Sequence, residues 1–355
     1  MNKKLIWDYK SNKTQDLEFK NLYKRFWHFA AHKSEMANNK DYVIFKIYDF
    51  EIVLYNDYNN IICFYNTCPH RGARLIDDNY DCLNTGNRNI ICKYHHWSFS
   101  KDKLQIKDKE EFSKSECLDL FRLKIDYCGD FIFFALNPIM SLKEQLGDFF
   151  EPIFHHSKSI KSCIDINDKT KFKSNWKIGI ENSIEPYHIG AVHPNSLAPL
   201  KMDNINLFCN ANSKVSGKIT NDKYNKRLRA NKELFCDKNY YEEAYFSYYI
   251  FPFMILSSTF GYSYSIQTFY PDTPQNTHFT SRSYDVFSNF NQSLWNESVI
   301  KINRQIFDED AIPTTLVQNG SIIDNMDFCY AINKESRILD FHKNYNKYIG
   351  FTNAI

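Results

Sequence analysis

The segment from 175 to 194 holds two histidines, His188 and His193, with two carboxylates, Glu181 and Glu185, just upstream. Read as one helix, the two carboxylates and His188 recur at i, i+4 and i+7 and share a face. His193 lies off that face, because five residues at about 100° each overshoot a turn by roughly 140°. The glycine and proline at 190 and 194 would loosen the helix and let His193 return beside His188. Two histidines and one carboxylate are the ligands of a mononuclear non-haem iron site, although ordinary surface histidines would give the same spacing.

Two shorter motifs earlier in the chain each pair a cysteine with a histidine. They are Cys68-x-His70 and Cys92-x-x-His95, and each is expected in a loop at the end of a strand. A structural zinc site would use all four side chains. A Rieske [2Fe–2S] cluster would take one cysteine and one histidine from each loop, with both cysteines on one iron and both histidines on the other. The third alternative is that these residues are unrelated.

The residues around the two motifs favour the cluster. Arg71 and Gly72 follow the first motif, and Tyr94 and Trp97 flank the second histidine. Small residues give access to a cluster, aromatic side chains form a wall around it, and polar groups donate hydrogen bonds to its sulfides.

Alternating apolar residues predict a small antiparallel domain that carries these loops. Strands are expected at 43–48, 51–55 and 61–65, with tight turns between them. Short strands continue to Leu136, and a helix is expected over 141–154. We therefore predict an N-terminal arm over 1–20 and an antiparallel-β domain over 21–150, whose first residues could also contribute to the second domain.

The remaining residues, 151–355, predict an α+β domain. A strand is expected at 162–165, a helix over about 174–189, a large antiparallel sheet over 240–287, a helix over 291–322 interrupted at Pro313, and a last helix over 335–349. The polar stretch 203–238 is expected to be a flexible insert, such as a lid over a pocket. Walls of that pocket are expected from 189–220 and from the aromatic strands at 245–270.

Composition narrows the class of protein. The 355 residues include 44 Lys and Arg against 42 Asp and Glu, which argues against nucleic-acid binding and against a polybasic membrane patch. Phenylalanine and tyrosine are abundant, with 30 and 24 copies, as in a β-rich core. The start of the sequence has no apolar run typical of a signal peptide, and no stretch is long enough to span a membrane. We expect a cytoplasmic protein whose 10 cysteines include metal ligands rather than a disulfide framework.

Taken together, the motifs resemble those of the Rieske non-haem iron oxygenases, alpha subunit, over nearly the whole chain. The residues that carry the resemblance are Phe26-Trp27-His28-Phe29-Ala30, Cys68-Pro69-His70-Arg71-Gly72-Ala73, Cys92-x-Tyr94-His95-x-Trp97-Ser98-Phe99, Asn175-Trp176-Lys177 and Glu185-x-Tyr187-His188-x4-His193-Pro194. The resemblance implies a Rieske domain followed by a helix-grip-like catalytic domain, one [2Fe–2S] cluster and one Fe(II) per chain. One departure is His96, which stands where relatives commonly have glycine.

The resemblance also implies the remaining site residues. The third iron ligand is expected to be Asp310, with Asp308 as second choice, because the family takes this carboxylate from a late acidic pair. Glu185 occupies the place of an acidic bridge, usually Asp, that links His95 of one subunit to His188 of the next in a ring, commonly a homotrimer. A glutamate here is similar to oxygenases that act on quaternary ammonium compounds. The supporting residues expected around the two metals are Arg71, Trp97, Asn182 and Tyr187.

The reaction implied is the oxidation of a C–H bond of a small organic substrate by O2, with electrons from a separate reductase or ferredoxin. Monohydroxylation or oxidative demethylation is favoured, and arene cis-dihydroxylation is the alternative. The sequence has no dinucleotide-binding glycine motif and no four-cysteine ferredoxin spacing, so a separate electron donor is expected. The rival classes are a Rieske electron carrier without oxygenase activity and a structural zinc protein.

Overall fold

Two seven-stranded antiparallel sheets organise the chain in the computed structural model. The structure describes residues 9–78, 83–100, 103–105, 111–112, 118–235, 244–286, 292–320 and 329–350. Among these residues, no helix combines the length and the apolar character that crossing a lipid bilayer requires.

The first sheet carries the loops of the two Cys–His motifs. Its strand order is β1-β10-β9-β4-β3-β2-β5, and β6, β7 and β8 form a separate small sheet. The strands are β1 His28–His32, β2 Asp41–Ile47, β3 Phe50–Asp57, β4 Asn60–Tyr65, β5 Leu83–Asn87, β6 Ile90–Ile91, β7 Ser98–Ser100, β8 Lys103–Leu104, β9 Arg122–Cys128 and β10 Phe131–Ala135. Tyr58 and Asn59 both have positive φ, 54° and 67°, which suits the two-residue turn between β3 and β4. The three strands predicted from alternation are confirmed.

The second sheet runs in the order β11-β17-β16-β15-β14-β13-β12. Its strands are β11 Ser162–Asn167, β12 Met202–Cys209, β13 Asn212–Ile219, β14 Tyr245–Ile250, β15 Met254–Thr259, β16 Ser263–Thr273 and β17 Asn276–Asp285. The α-helices in the described part of the chain are α1 Asn12–Glu18, α2 Leu142–Leu146, α3 Phe150–Ser159, α4 Trp176–Ser183, α5 Ile189–Val192, α6 Asp222–Phe235, α7 Gln292–Gly320 and α8 Ser336–Ile349.

The flexible insert expected over 203–238 is wrong for its described part, 203–235. This stretch forms β12, β13 and α6, and β13 pairs with β14, so it extends the second sheet. β12 is an edge strand whose side chains are mostly exposed, so its sequence is polar like that of a loop. The break expected in the late helix is also wrong, since α7 continues through Pro313.

One continuous apolar core joins the two sheets. The ring of Phe45 on β2 lies 5.3 Å from Phe134 on β10 and stacks at 6.1 Å on Tyr270 of β16. The buried imidazole of His28 stacks on Phe253, with the ring centres 5.5 Å apart. Because aromatic pairs at these distances add to the energy of area burial, the first sheet is fixed against the second.

The N-terminal segment differs from the arm expected over 1–20. From residue 9 onward it is anchored at two buried side chains: Tyr9 is 6% exposed, and Glu18 at the end of α1 is 1% exposed. Glu18 forms an ion pair with the fully buried Lys177 of α4, and it accepts hydrogen bonds from Trp176 Nε1 at 2.9 Å and from the Tyr345 hydroxyl. This polar segment packs against the rest of the protein because its buried Glu18 carboxylate forms an ion pair with the buried Lys177.

We predict that Lys177→Met lowers the free energy of unfolding by about 3–5 kcal/mol, because it leaves the Glu18 carboxylate buried without its cation. The shift is measured as a change in the urea midpoint. The matched control, Glu18→Gln combined with Lys177→Met, removes both charges and should recover part of the loss. A single variant within about 0.5 kcal/mol of the unaltered protein would contradict this role for the ion pair.

Candidate metal centres

The two Cys–His loops lie side by side at the ends of β4 and β6. The thiols of Cys68 and Cys92 are 1% and 2% exposed. The imidazole rings of His70 and His95 approach to 4.5 Å between their centres. The chain therefore places two thiols and two imidazoles at one spot, with the histidines on adjacent loops.

Both loops close with the same backbone turn. The N–H of Gly72 donates to the Cys68 carbonyl, and the N–H of His96 donates to the Cys92 carbonyl, each at 2.9 Å. Gly72 and His96 have φ of +75° and +56°. Glycine adopts this left-handed conformation without strain, which explains why the residue at position 96 is expected to be glycine in relatives. The matching turns fold each loop back on itself, although the histidine lies two residues after the cysteine in the first loop and three residues after it in the second.

The chemistry of these four side chains fits an iron–sulfur cluster. His70 Nδ1 is buried and has no hydrogen-bond partner among the described residues, so it lacks the partner that a metal would supply. Burial raises the pKa of the Cys68 thiol to about 11; the backbone N–H of His70 opposes this shift and the neighbouring Cys92 thiol adds to it. The Cys68 thiol would therefore need a cationic centre to bind as a thiolate.

Aromatic and basic side chains lie around the two loops. The indole of Trp97 stacks on His70, with 4.5 Å between the ring centres and 13° between the planes. Arg71 Nη1 donates to the Tyr94 hydroxyl at 3.1 Å, and the Tyr94 ring lies 3.9 Å from that of His95. Arg71 is thus held by Tyr94 at the rim, where His95 remains exposed.

A second set of metal-binding side chains meets between the α4–α5 region and α7. The donor atoms of His188, His193 and Asp310 lie within 4.8 Å of one another. His193 Nε2 lies 2.9 Å and His188 Nε2 lies 3.5 Å from Asp310 Oδ1. Two imidazoles and one carboxylate oxygen that converge on one point fit a mononuclear iron with open positions.

The helix expected over 174–189 is wrong, because α4 ends at Ser183 and α5 begins only at Ile189. Pro186 has no N–H to continue the helix. The shared face of Glu181, Glu185 and His188 is therefore absent. Glu181 instead accepts hydrogen bonds from Tyr9 and His342, both at 3.0 Å. The break in the helix is what turns His188 and His193 toward the same point.

The acidic run on α7 divides its carboxylates among different partners. Asp310 faces the histidines and accepts a hydrogen bond from Asn182 Nδ2 at 2.8 Å. Asp308 instead accepts a hydrogen bond from the Thr170 hydroxyl at 2.7 Å. Asn182 therefore contacts the carboxylate of Asp310, and Asp310 rather than Asp308 lies beside the histidines.

Glu309 is a site residue that the sequence analysis missed. Its Oε2 lies 2.7 Å from His193 Nδ1 and accepts a further hydrogen bond from Ser196, while Gln305 holds its other oxygen. Burial opposes protonation of His193, but the hydrogen bonds that its ring donates to the carboxylates of Asp310 and Glu309 outweigh burial and raise the pKa of this imidazole. A carboxylate on Nδ1 leaves Nε2 of His193 directed at the candidate metal position. The sequence places Glu309 directly before Asp310, which is the one signal for its role. Which way its side chain points on the helix becomes clear only when His193 is placed beside it.

Glu185 lies within the same group. Its Oε1 is 2.6 Å from His188 Nδ1, and its other oxygen accepts the backbone N–H of Tyr187. The carboxylate thus fixes the orientation of the His188 ring. Tyr187 differs from the expected supporting residue, because its ring is 60% exposed and meets the Lys334 amine rather than a candidate ligand.

A cavity of about 300 Å³ opens beside the three candidate ligands. Its walls come from 184–204, from strands β13 to β16, and from α7 and α8, so the walls expected from 189–220 and 245–270 are confirmed. Most of the wall is apolar. The apolar residues include Ile184, Ile189, Leu197, Leu200, Met202, Val215, Ile255, Val299, Ile306 and Phe307. The volume is at the lower end of the range for small-molecule sites, about 300–1,000 Å³.

The chain is similar to curated oxygenase subunits. The oxygenase subunit of carnitine monooxygenase from Escherichia coli (strain K12) is 29% identical over 199 residues, which cover 52% of this chain and 50% of that protein. The large oxygenase component of the naphthalene 1,2-dioxygenase system from Ralstonia sp. is 32% identical over 195 residues, covering 51% and 42%. The matches thus span about half the length of these curated relatives.

Solved structures share the whole fold. A quaternary ammonium Rieske monooxygenase in complex with L-carnitine superposes with a TM-score of 0.76 at 20% identity, over 96% of this chain and 93% of that one. Naphthalene 1,2-dioxygenase from Rhodococcus sp. bound to indole gives a TM-score of 0.74 at 15% identity, over 97% and 94%. Identities this low establish the fold alone.

Two family matches divide the chain between them. Residues 26–118 match the Rieske [2Fe-2S] domain, and residues 155–350, more than half of the chain, match the catalytic domain of the ring hydroxylating alpha subunit. The chain belongs to the family of ring-hydroxylating oxygenase alpha subunits, in which a Rieske domain precedes the catalytic domain.

Proposed function

We propose that this protein is the terminal oxygenase component of a Rieske system that oxidises a C–H bond of a small organic substrate. The observation that carries the proposal is the convergence of His188, His193 and Asp310 on one wall of an apolar cavity. When bound, the cluster would relay single electrons and the Fe(II) would activate O2. The electrons would come from a separate reductase or ferredoxin.

The proposed ligand assignment follows the donor sets. Cys68, His70, Cys92 and His95 would hold the [2Fe–2S] cluster, and the three residues at the cavity would hold Fe(II). The chain's part in the chemistry is to keep each imidazole in one tautomer, to exclude water with apolar walls, and to orient the substrate. Glu309 and Glu185 perform the first task, each through the Nδ1 of one histidine.

Monohydroxylation or oxidative demethylation is the favoured outcome, with arene cis-dihydroxylation as the alternative. The relatives named for carnitine support the first, and the naphthalene dioxygenase relatives support the second. The glutamate at position 185 favours the first, because the resemblance at this position is to oxygenases of quaternary ammonium compounds. Oxygen uptake against matched panels of trimethylammonium compounds and arenes distinguishes the two outcomes.

The proposed assembly is a homotrimeric ring in the cytoplasm. His95 is exposed in the single chain, so it is accessible to a carboxylate of a neighbouring subunit. Glu185, which already binds His188, would accept the N–H of the neighbour's cluster histidine and shorten the path for the electron.

We predict that Asp310→Ala loses the mononuclear iron and turnover but keeps the reddish-brown cluster with its two sulfides. The measurement is iron and acid-labile sulfide per chain, with the visible spectrum. Asp308→Ala is the matched control, since Asp308 lies on the same helix as Asp310 but accepts a hydrogen bond from Thr170, and this variant should keep the iron. Retained iron and turnover in the Asp310 variant would assign the third ligand to another residue.

We predict that Glu185→Ala keeps both metals but slows electron transfer from the cluster by about 10–100-fold, the usual effect of removing a partner of a metal-bound histidine. The measurement is the rate at which the chemically reduced cluster is reoxidised in a single turnover with substrate and O2. Glu185→Asp is the control that keeps the carboxylate, and it should be less impaired. Normal product formation by Glu185→Ala would refute the bridge.

A further inference from the structure

Arg337 is a buried cation in the wall of the cavity. It is the second residue of α8 and is 2% exposed, and it is the only lysine or arginine among the described lining residues. The rest of the wall is apolar or carries uncharged polar side chains of serine, threonine, asparagine, glutamine and tyrosine, apart from the residues at the candidate metal position. The cavity therefore has one anionic, metal-binding region and one separate positive charge.

No carboxylate among the described residues forms an ion pair with Arg337. Its Nε donates to Ser213 Oγ at 2.9 Å, and its Nη2 donates to the carbonyl oxygens of Ser213 and Ser247 at 3.3 and 3.1 Å. Nη1 makes none of these bonds, so its N–H groups remain for the cavity. These contacts hold the guanidinium in place but do not neutralise it.

The other buried cations among the described residues, Lys177 and Arg282, are paired. Lys177 meets Glu18, and Arg282 lies 3.2 Å from Glu35. A buried charge without a counter-charge is strongly unfavourable, so paired burial is the rule. Arg337 departs from that rule at the one place where a ligand could supply the missing charge.

The local setting of Arg337 adds to this cost. It lies in the first turn of α8, where the positive end of the helix dipole opposes a cation. Burial lowers the pKa of the guanidinium to about 10, partly offset by the neighbouring Tyr245 and Tyr249 phenols, so it remains charged at neutral pH. Local rules that are broken without compensation within the chain are expected at functional sites.

The phenol of Tyr245 lies in the cavity wall close enough to both Arg337 and Asp310 to be influenced by the charge of each. Burial raises the pKa of its phenol, the guanidinium of Arg337 lowers it, and the carboxylate of Asp310 raises it. The phenol therefore experiences both charges across the cavity. A substrate with an anionic end at Arg337 would extend past Tyr245 toward Asp310.

We propose that Arg337 binds a carboxylate of the substrate, so that the oxygenase acts on a small organic carboxylate whose reactive C–H bond faces His188, His193 and Asp310. This assignment rests on the proposed function. A guanidinium with free N–H groups matches the geometry of a carboxylate better than that of any neutral group. It also predicts the orientation of the substrate, with the carboxylate away from the metal.

The test is calorimetric binding to the metal-loaded protein at pH 7, without reductant and O2. The probes are three acid–amide pairs of increasing size: formate and formamide, butyrate and butyramide, and benzoate and benzamide. We expect the acid to bind at least about 10-fold more tightly than its amide in one or more pairs, as for a charge-assisted contact. Arg337→Met should abolish the preference, and Arg337→Lys, which keeps the charge but not the planar fork, should retain part of it.

Two results would overturn the assignment. One is an absence of acid preference in all three pairs with the unaltered protein, which needs no variant and so stands even if Arg337→Met does not fold. The other is an unchanged preference in a folded Arg337→Met protein with a normal cluster spectrum, which would place the carboxylate elsewhere, such as at the iron. Because binding is measured without turnover, its result is separate from the oxygen-uptake test of the proposed function.

Discussion

The contact of Asp310 on α7 with His193 and Asn182 is the constraint on which the catalytic half of the molecule depends. His193 and Asp310 are 117 residues apart, yet their donor atoms lie 2.9 Å apart. For these atoms to meet, the long helix α7 must pass the end of α4 with one particular face, the face that carries Asp310, turned toward the histidines. Buried hydrogen bonds of Asn175, at the start of α4, fix this orientation. Its backbone N–H donates to the side-chain oxygen of Gln318 on α7, and its side-chain amide donates to the carbonyl oxygens of Tyr9 and Pro274.

The Asn175-Trp176-Lys177 motif therefore positions the helices around the candidate iron site and contributes no ligand to it. Asn175 caps α4 by accepting the N–H of Lys177, and the next two side chains bind the carboxylate of Glu18. This network ties the N-terminal segment, α4 and α8 together behind the candidate iron site. Its burial explains why a motif without metal ligands accompanies the histidines in a family defined by its metals.

The sequence was most informative where the structure is local. The two Cys–His motifs close within five residues through one turn each, so their spacing predicted their loops and ligand set. The sequence does not predict the helix break before His188. Glu181, Glu185 and His188 have the spacing of one helix face, and this pattern masks the helix-breaking effect of Pro186. Asp310 came only from the resemblance, since nothing local distinguishes it from Asp308 or Glu309 on an acidic helix.

Long-range partners account for the remaining errors. Glu18 looks like part of a polar arm until Lys177 is placed beside it, and β12 looks like a loop until β13 pairs with it. Arg337 carried no signal at all, because a lysine or arginine in the first turn of a helix is ordinarily a surface residue. Its meaning depends on the cavity, which is assembled from strands and helices across the second half of the chain.

The central claim is that one chain builds two separate iron sites, one with sulfide and one with open positions. The most direct measurement is anaerobic reconstitution with Fe(II) and sulfide, followed by iron and sulfide analysis and Mössbauer spectroscopy. The account predicts the paired irons of a Rieske cluster, with two histidines on one of them, together with one further high-spin Fe(II) that carries no sulfide. Colourless protein, or protein that fills only the sulfide-bearing site, would contradict it.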